Sequence, residues 1–246
     1  MKPAKKTVLV IMVCLAMVIP FSQISYVSSD TSILQEKSQT YINNVLPFDM
    51  NRYTIVFRSE YSLPSGPNDP TKWESVTYDL KSNSSTIHVV FVFMNGVLKQ
   101  CGIDPLSGSP ISDQSYTNLA QVAARILGKL GECIGIDSSD LVRMLSLVDE
   151  TKTMNVTEGD INLSVSKMSI PTTFPPTTNA SNSINSTAFT WTLSRNGVVF
   201  NHVSITFDNG VLRNIDDDRA AYPIGGTEVN ISKEQTIDNA KQYISD

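Results

Sequence analysis

The sequence has few of the residues that most often carry chemistry in proteins, since its 246 residues include two histidines and three cysteines. No Cys-x-x-Cys pair and no Cys/His cluster occurs, which excludes the usual zinc and thiol-redox motifs. Neither histidine accompanies a Gly-x-Ser-x-Gly segment of the kind that carries a catalytic serine. We therefore predict a protein that is not an enzyme and has no cofactor, and paired carboxylates stay open as an alternative.

Long apolar runs are confined to the N-terminus. Three lysines precede an apolar run of twelve residues, 8–19, which Pro20 ends. Twelve residues suit the hydrophobic region of a signal peptide, whereas a membrane span needs about 20. We expect residues 1–29 to be a signal peptide cleaved before Asp30 or, alternatively, an uncleaved anchor formed by residues 7–20. Both alternatives predict an extracytoplasmic protein, secreted or anchored, that meets the membrane only through this segment.

Positive charge is also scarce. Removal of residues 1–29 takes away three lysines and no acidic residue, which leaves 16 basic and 24 acidic side chains and a net charge of −8. An acidic surface repels phosphate backbones and the sequence has no basic stripe, so nucleic-acid binding is disfavoured. The expected partner is a protein or peptide outside the cytoplasm.

The chain contains an internal repeat. Residues 91–99 and 205–213 each alternate apolar side chains, pass through Asn-Gly and continue with Val-Leu. Asn-Gly favours the type I′ turn of a β-hairpin, in which both central residues have positive φ. His88 and His202 each lie seven residues before the Asn of their copy, so the register extends beyond the turn. The repeat predicts a duplicated α+β unit.

Each copy follows a predicted helix. Apolar residues at helical spacing predict a helix over residues 32–46 and a longer one that starts near Ser112 or Asp113. We predict two tandem units, A at residues 30–110 and B at residues 111–226, each a helix packed on an antiparallel β-meander. A Ser/Thr/Asn/Pro tract at residues 171–187 is predicted to be a mobile surface loop within unit B.

A third amphipathic helix is predicted within residues 227–246, with Ile237, Ala240 and Ile244 on one face. Its sequence, Ile-Ser-Lys-Glu-Gln-x-Ile-x-x-Ala-Lys-x-Tyr-Ile, resembles the opening helix of PepSY-type domains, which are secreted or membrane-anchored α+β modules. The layout of a signal followed by repeated units is also similar to that of archaeal surface proteins. The resemblance implies extracytoplasmic binding or inhibition of peptidases, without catalytic residues. The helix either docks on the sheet of unit B or opens a third unit.

Three kinds of candidate site remain. Asp216, Asp217 and Asp218 are clustered carboxylates of the type that binds calcium, and a solvated acidic turn is the alternative. Cys101 and Cys133 either form a disulfide in an oxidising compartment or stay as two buried free thiols. Six Asn-x-Ser/Thr sequons predict glycosylation, at Asn83, Asn155, Asn162, Asn179, Asn185 and Asn230.

The sequence as a whole predicts a non-enzymatic binding or interaction module of the cell surface. An open meander can bind a peptide by accepting it as an additional strand at its edge. The alternatives are a structural subunit of the cell envelope and a secreted hydrolase that uses carboxylates or a metal. Neither His88 nor His202 has a carboxylate at ligand spacing on its own strand, so a structural role is expected for both.

Overall fold

The computed structural model describes residues 32–63, 71–112, 118–171, 183–196 and 198–220. Their helices are α1 (Ile33–Asn44), α2 (Leu119–Ile134) and α3 (Ser139–Met144), with short 3₁₀ helices at Met50–Arg52 and Leu145–Leu147. Their strands are β1 (Thr54–Leu63), β2 (Trp73–Lys81), β3 (Thr86–Met94), β4 (Val97–Ser107), β5 (Met154–Glu158), β6 (Ile161–Pro171), β7 (Ser183–Arg195), β8 (Val198–Asp208) and β9 (Val211–Asp217). The predicted signal segment and the C-terminal helix lie outside the described residues.

These strands form one antiparallel sheet in the order β1-β2-β3-β4-β9-β8-β7-β6-β5. The prediction of two tandem units, each with its own meander, is therefore wrong. The last strands of the two copies, β4 and β9, pair at three successive positions centred on Cys101 and Ile215. This pairing satisfies backbone groups that would otherwise lie at an exposed edge in each copy. Residues of both copies and of the three helices accordingly share one hydrophobic core.

The contact between β4 and β9, which we call the seam, relates the two copies by an approximate two-fold axis. Cys101 and Ile215 are 114 positions apart, and so are Asn95 and Asn209 of the two turns. The pairing at the seam is therefore symmetric: Cys101 pairs with its own equivalent, and the pair Gln100–Asp216 is the counterpart of the pair Gly102–Asn214. This is the pattern of an isologous interface, in which the same surface is used on both sides.

The two Asn-Gly turns have the backbone that the sequence predicts. Asn95 and Asn209 have φ values of 52° and 50°, and the glycines that follow them have 75° and 81°. The Asn95 side chain also accepts a hydrogen bond from the backbone N–H of Lys72, just before β2, at 2.8 Å, and the Asn209 side chain accepts one from Asn185 of β7 at 3.0 Å. The turn geometry favours the register of each hairpin, and the side-chain bond joins the turn to the strand that precedes the hairpin.

The two copies also attach their helices to the sheet in the same way. Tyr78 of β2 and Trp191 of β7 occupy matching positions, as the alternation of apolar residues predicts, and both are buried. The Tyr78 hydroxyl donates to the carbonyl of Gln35 in α1 at 3.2 Å. The Trp191 indole donates to the carbonyl of Leu141 in α3 at 3.1 Å. An aromatic side chain in each half therefore packs in the core and binds a helix backbone.

Two predicted boundaries differ from those observed. Helix α2 begins at Leu119, where the Asn118 side chain accepts a hydrogen bond from the Gln121 N–H at 2.9 Å, so a capping residue sets the start. The predicted loop 171–187 is shorter than expected, because residues 183–187 are the first residues of β7 and pair with β6. Residues 172–182 of that tract lie outside the described part of the chain.

Candidate functional site

The helices pack on one face of the sheet, and the side chains that alternate with the core residues form the opposite face, which we call the open face. One row of this face crosses all nine described strands, and none of its side chains is buried. Its members, in sheet order, are Tyr61, Ser75, Val92, Gln100, Asp216, Ser204, Thr190, Ser164 and Asn155. Antiparallel sheets commonly stay solvated on one face in this way. Seven of these nine side chains are polar or charged, so this face does not need to be covered by helices in the described part of the chain.

Two ion pairs cross the seam on opposite sides of the two-fold axis. Lys99 of β4 contacts Asp218, which follows β9, and Arg213 of β9 contacts Asp104 of β4. Lys99 and Arg213 are 114 positions apart, and so are Asp104 and Asp218, so each pair is the counterpart of the other. Lys99 and Asp218 are the more enclosed pair, at 17% and 12% side-chain exposure against 40% and 54% for Arg213 and Asp104. Water therefore screens the second pair more strongly.

His202 lies beside the enclosed pair. Its Nδ1 contacts the Asp218 carboxylate, and its Nε2 lies 3.5 Å from Asp216 Oδ2. Lys99 Nζ lies 3.1 Å from the other oxygen of Asp216. Both carboxylates next to this histidine are therefore neutralised in part by a lysine that comes from the other copy.

His88 occupies the equivalent position in the first copy but has different neighbours. Its Nδ1 lies 2.9 Å from Oδ1 of Asp79, a buried carboxylate of β2. Arg58 Nε donates to the other oxygen of Asp79 at 2.8 Å. The guanidinium, with a smaller contribution from His88, holds the pKa of Asp79 below its ordinary value.

The sequence prediction concerned only carboxylates on the strand of each histidine. The carboxylates beside the histidines come instead from neighbouring strands and, for Asp218, from the residue after β9. Asp79 pairs directly with His88 in the β2–β3 register. A count across the hairpin tip between Lys81 and Thr86 could have found this neighbour from the sequence.

The three aspartates at the end of β9 do not form one cluster. Asp216 and Asp218 lie with Lys99 and His202, whereas Asp217 points to the helical side and is 2% exposed. Arg219, itself buried, binds Asp217 through Nε at 3.0 Å and through Nη2 at 2.7 Å. No group of three or more His, Cys, Asp or Glu side chains in the described residues is arranged to hold a metal ion.

The other predicted sites are dispersed. Cys101 and Cys133 are both free thiols. Cys101 is buried at the seam, and burial raises the pKa of both thiols.

The predicted glycosylation sequons differ in exposure. Asn83, Asn155 and Asn185 are exposed, and Asn162 is half-buried with its side-chain nitrogen donating to Thr157 at 2.8 Å. Asn179 and Asn230 lie outside the described residues. Glycosylation stays a prediction.

The two ends of the sheet differ in length and in chemistry. β1, at one end, has ten residues, and within the described chain it pairs only with β2. Three of its large apolar side chains are exposed, Phe57 at 40%, Tyr61 at 60% and Leu63 at 49%. β5, at the other end, has five residues and none of its apolar side chains is exposed. β1 is therefore the longer and the more apolar edge.

Comparison with known proteins gave no match, whether to family models, to curated proteins or to solved structures. The resemblance to PepSY-type domains consequently stays a prediction. Among the described helices, none has both the length and the apolarity that crossing a membrane requires.

Proposed function

We propose that this protein is a non-enzymatic, extracytoplasmic binding module that takes up an extended segment of a partner protein as an additional strand beside β1. The observation that carries the proposal is the ten-residue outer edge of β1, with its exposed apolar side chains. An edge strand presents a row of backbone N–H and C=O groups that an extended peptide can pair with.

The side chains of β1 provide contacts on both faces of such an added strand. Phe57 lies on the helical side, where its ring meets Tyr78 edge-on with centroids 5.8 Å apart. Tyr61 and Leu63 lie on the open-face side, opposite Ser75 and Trp73 of β2. Because the side chains of an added strand alternate between faces, apolar residues of a partner would meet one group or the other. Backbone pairing would supply affinity and these contacts would supply specificity.

The surroundings of the histidines support a binding role over a hydrolytic one. His88 and His202 each adjoin carboxylates that also bind a cation, Arg58 or Lys99. Opposite charges on neighbouring strands stabilise strand pairing by about 0.2–1 kcal/mol for each pair. The neutralised carboxylates thus have a structural use that requires no substrate.

The experiment that tests the proposal uses proline to remove one backbone N–H at a time. In an antiparallel edge strand, alternate N–H groups point inward to the neighbour and outward to solvent. Ser59→Pro and Glu60→Pro therefore remove one N–H of each kind. The full chain would be used to capture partners from an envelope extract of its native host, and thermal unfolding would identify the proline variant that keeps its stability.

We expect the stable variant of this pair to lose the captured partner. Tyr61→Ser and Leu63→Ser should weaken capture without lowering the melting temperature, because both side chains are largely exposed. Asn155 and Val156 of β5 offer a matched control, since proline there alters the opposite edge of the same sheet. Undiminished capture by the stable β1 variant would contradict strand addition at this edge.

A further inference from the structure

A groove lies between α1, the C-terminal end of α2 and the β3–β4 turn. Its volume is about 450 Å³, within the range of about 300–1,000 Å³ that is typical of binding sites. The walls are mainly apolar and include Tyr41, Leu98, Cys133, Ile134, Ile136 and Ala220. At its rim Lys37 Nζ donates to the carbonyl of Gly96 at 2.8 Å, which joins α1 to the turn.

Covering apolar walls of this kind with another apolar surface lowers the free energy of the protein, because both surfaces are removed from water. Burial already raises the pKa of the Tyr41 hydroxyl to about 12. Cys133 is half-buried, so its thiol reports on how far the groove is open to solvent. Cys101, in contrast, lies in the sheet at 1% exposure.

The path of the chain brings a candidate cover close to the groove. Ala220 is part of its wall and is also the last described residue, and 26 residues follow it. The ten residues that separate Ala220 from the predicted helix at 231–244 reach up to roughly 33 Å when extended. That helix carries Ile237, Ala240 and Ile244 at the spacing of a single face. Branched aliphatic side chains suit the isoleucine and leucine of the wall.

We propose that the C-terminal segment, residues 227–246, covers this groove by placing the apolar face of its predicted helix against α1 and α2. This assigns the segment a docking site on the helical layer, in place of the two alternatives that the sequence leaves open. The groove is lined by elements other than β1, so the proposal does not depend on strand addition.

The test measures how fast a maleimide labels Cys133 in the full chain, with peptide mass spectrometry to separate Cys133 from the other cysteines. Ile237→Asp with Ile244→Asp places two charges on the predicted apolar face. Asn239→Asp with Gln242→Glu places the same two charges on the opposite face as a matched control. We expect the first variant to label Cys133 several-fold faster than wild type and the control to label at the wild-type rate.

Labelling of Cys101 monitors global unfolding, because this thiol becomes accessible only if the sheet opens. If the double variant unfolds, the single substitution Ile244→Asn provides the same comparison with a smaller perturbation. Equal Cys133 rates in wild type and in the folded apolar-face variant would overturn the proposal. Protection that disappears on dilution of the wild-type protein would also overturn it, because a second copy would then be the cover.

Discussion

The two halves of the sheet place different side chains at an equivalent buried position. Ile103 of β4 and Asp217 of β9 are 114 positions apart and both are buried on the helical side. The first half fills this position with an aliphatic side chain, whereas the second half places a carboxylate there. Asp217 is neutralised by Arg219, whose counterpart in the first half is Pro105. The repeated backbone therefore does not require a charge at this position.

The buried Asp217–Arg219 pair of the second half connects two parts of the fold. Arg219 Nη1 donates to the Ser138 hydroxyl at 2.9 Å, so the buried pair ties the end of β9 to the connection between α2 and α3. Two copies of one sheet motif have thus diverged where each meets its own helices. The side chains that hold the halves together at the seam, by contrast, kept equivalent charges.

The largest effect is expected when one partner of the buried pair is removed. Asp217→Asn leaves the Arg219 charge buried without a counter-charge, which should lower the free energy of unfolding by about 3–5 kcal/mol. Replacing both residues, as in Asp217→Leu with Arg219→Leu, should cost far less because no charge stays buried. Urea unfolding of the three proteins measures both values. A single variant as stable as the double variant would show that the pair is not buried in solution.

A smaller effect is expected at the aromatic anchors. Tyr78→Phe removes the hydrogen bond to α1 and should lower the free energy of unfolding by about 1 kcal/mol. Trp191→Phe removes the bond to α3 and also leaves unfilled volume in the core, so a loss of about 2 kcal/mol is expected. Chemical denaturation of both variants compares the halves directly. A larger loss in Tyr78→Phe than in Trp191→Phe would contradict the equivalence of the anchors.

The smallest effect is a pH dependence that comes from Asp79 and is confined to the first half. The folded-state pKa of Asp79 is lowered, chiefly by Arg58. Asp79 therefore adds stability above its unfolded pKa of about 4, and that contribution is lost as the pH falls through the lower folded-state pKa. Asp79→Asn should flatten this acid limb of the stability curve. Thr192→Val, at the position that pairs with His202 in the second half, should keep the wild-type slope.

Local features of the fold could be predicted from the sequence because local chemistry determines them. The Asn-Gly turns, the alternation that places Tyr78 and Trp191 on the core face and the helix over residues 33–44 depend on neighbours within a few positions. The joining of the two meanders depends on β4 and β9, whose paired residues are more than 110 positions apart. No local pattern distinguishes such a seam from two solvent-exposed edges.

The candidate site was predictable only in part. The repeat identifies the two histidines as equivalent. Their carboxylate neighbours come from outside their own strands, and for Asp79 only a count of the hairpin register identifies the neighbour. The run of Asp216, Asp217 and Asp218 suggested one acidic cluster, whereas strand geometry sends alternate side chains to opposite faces. The exposed edge of β1 depends on the strand order of the whole sheet.

Native-state hydrogen exchange tests the seam most directly. If the halves form one sheet, the amides of residues 100–102 and 214–216 lie in its interior and should exchange as slowly as those of β3 and β8. Alternate amides of β1, which point outward, should exchange much faster. Fast exchange of alternate amides in β4 and β9 would contradict the account, because these strands would then be the edges of two separate sheets.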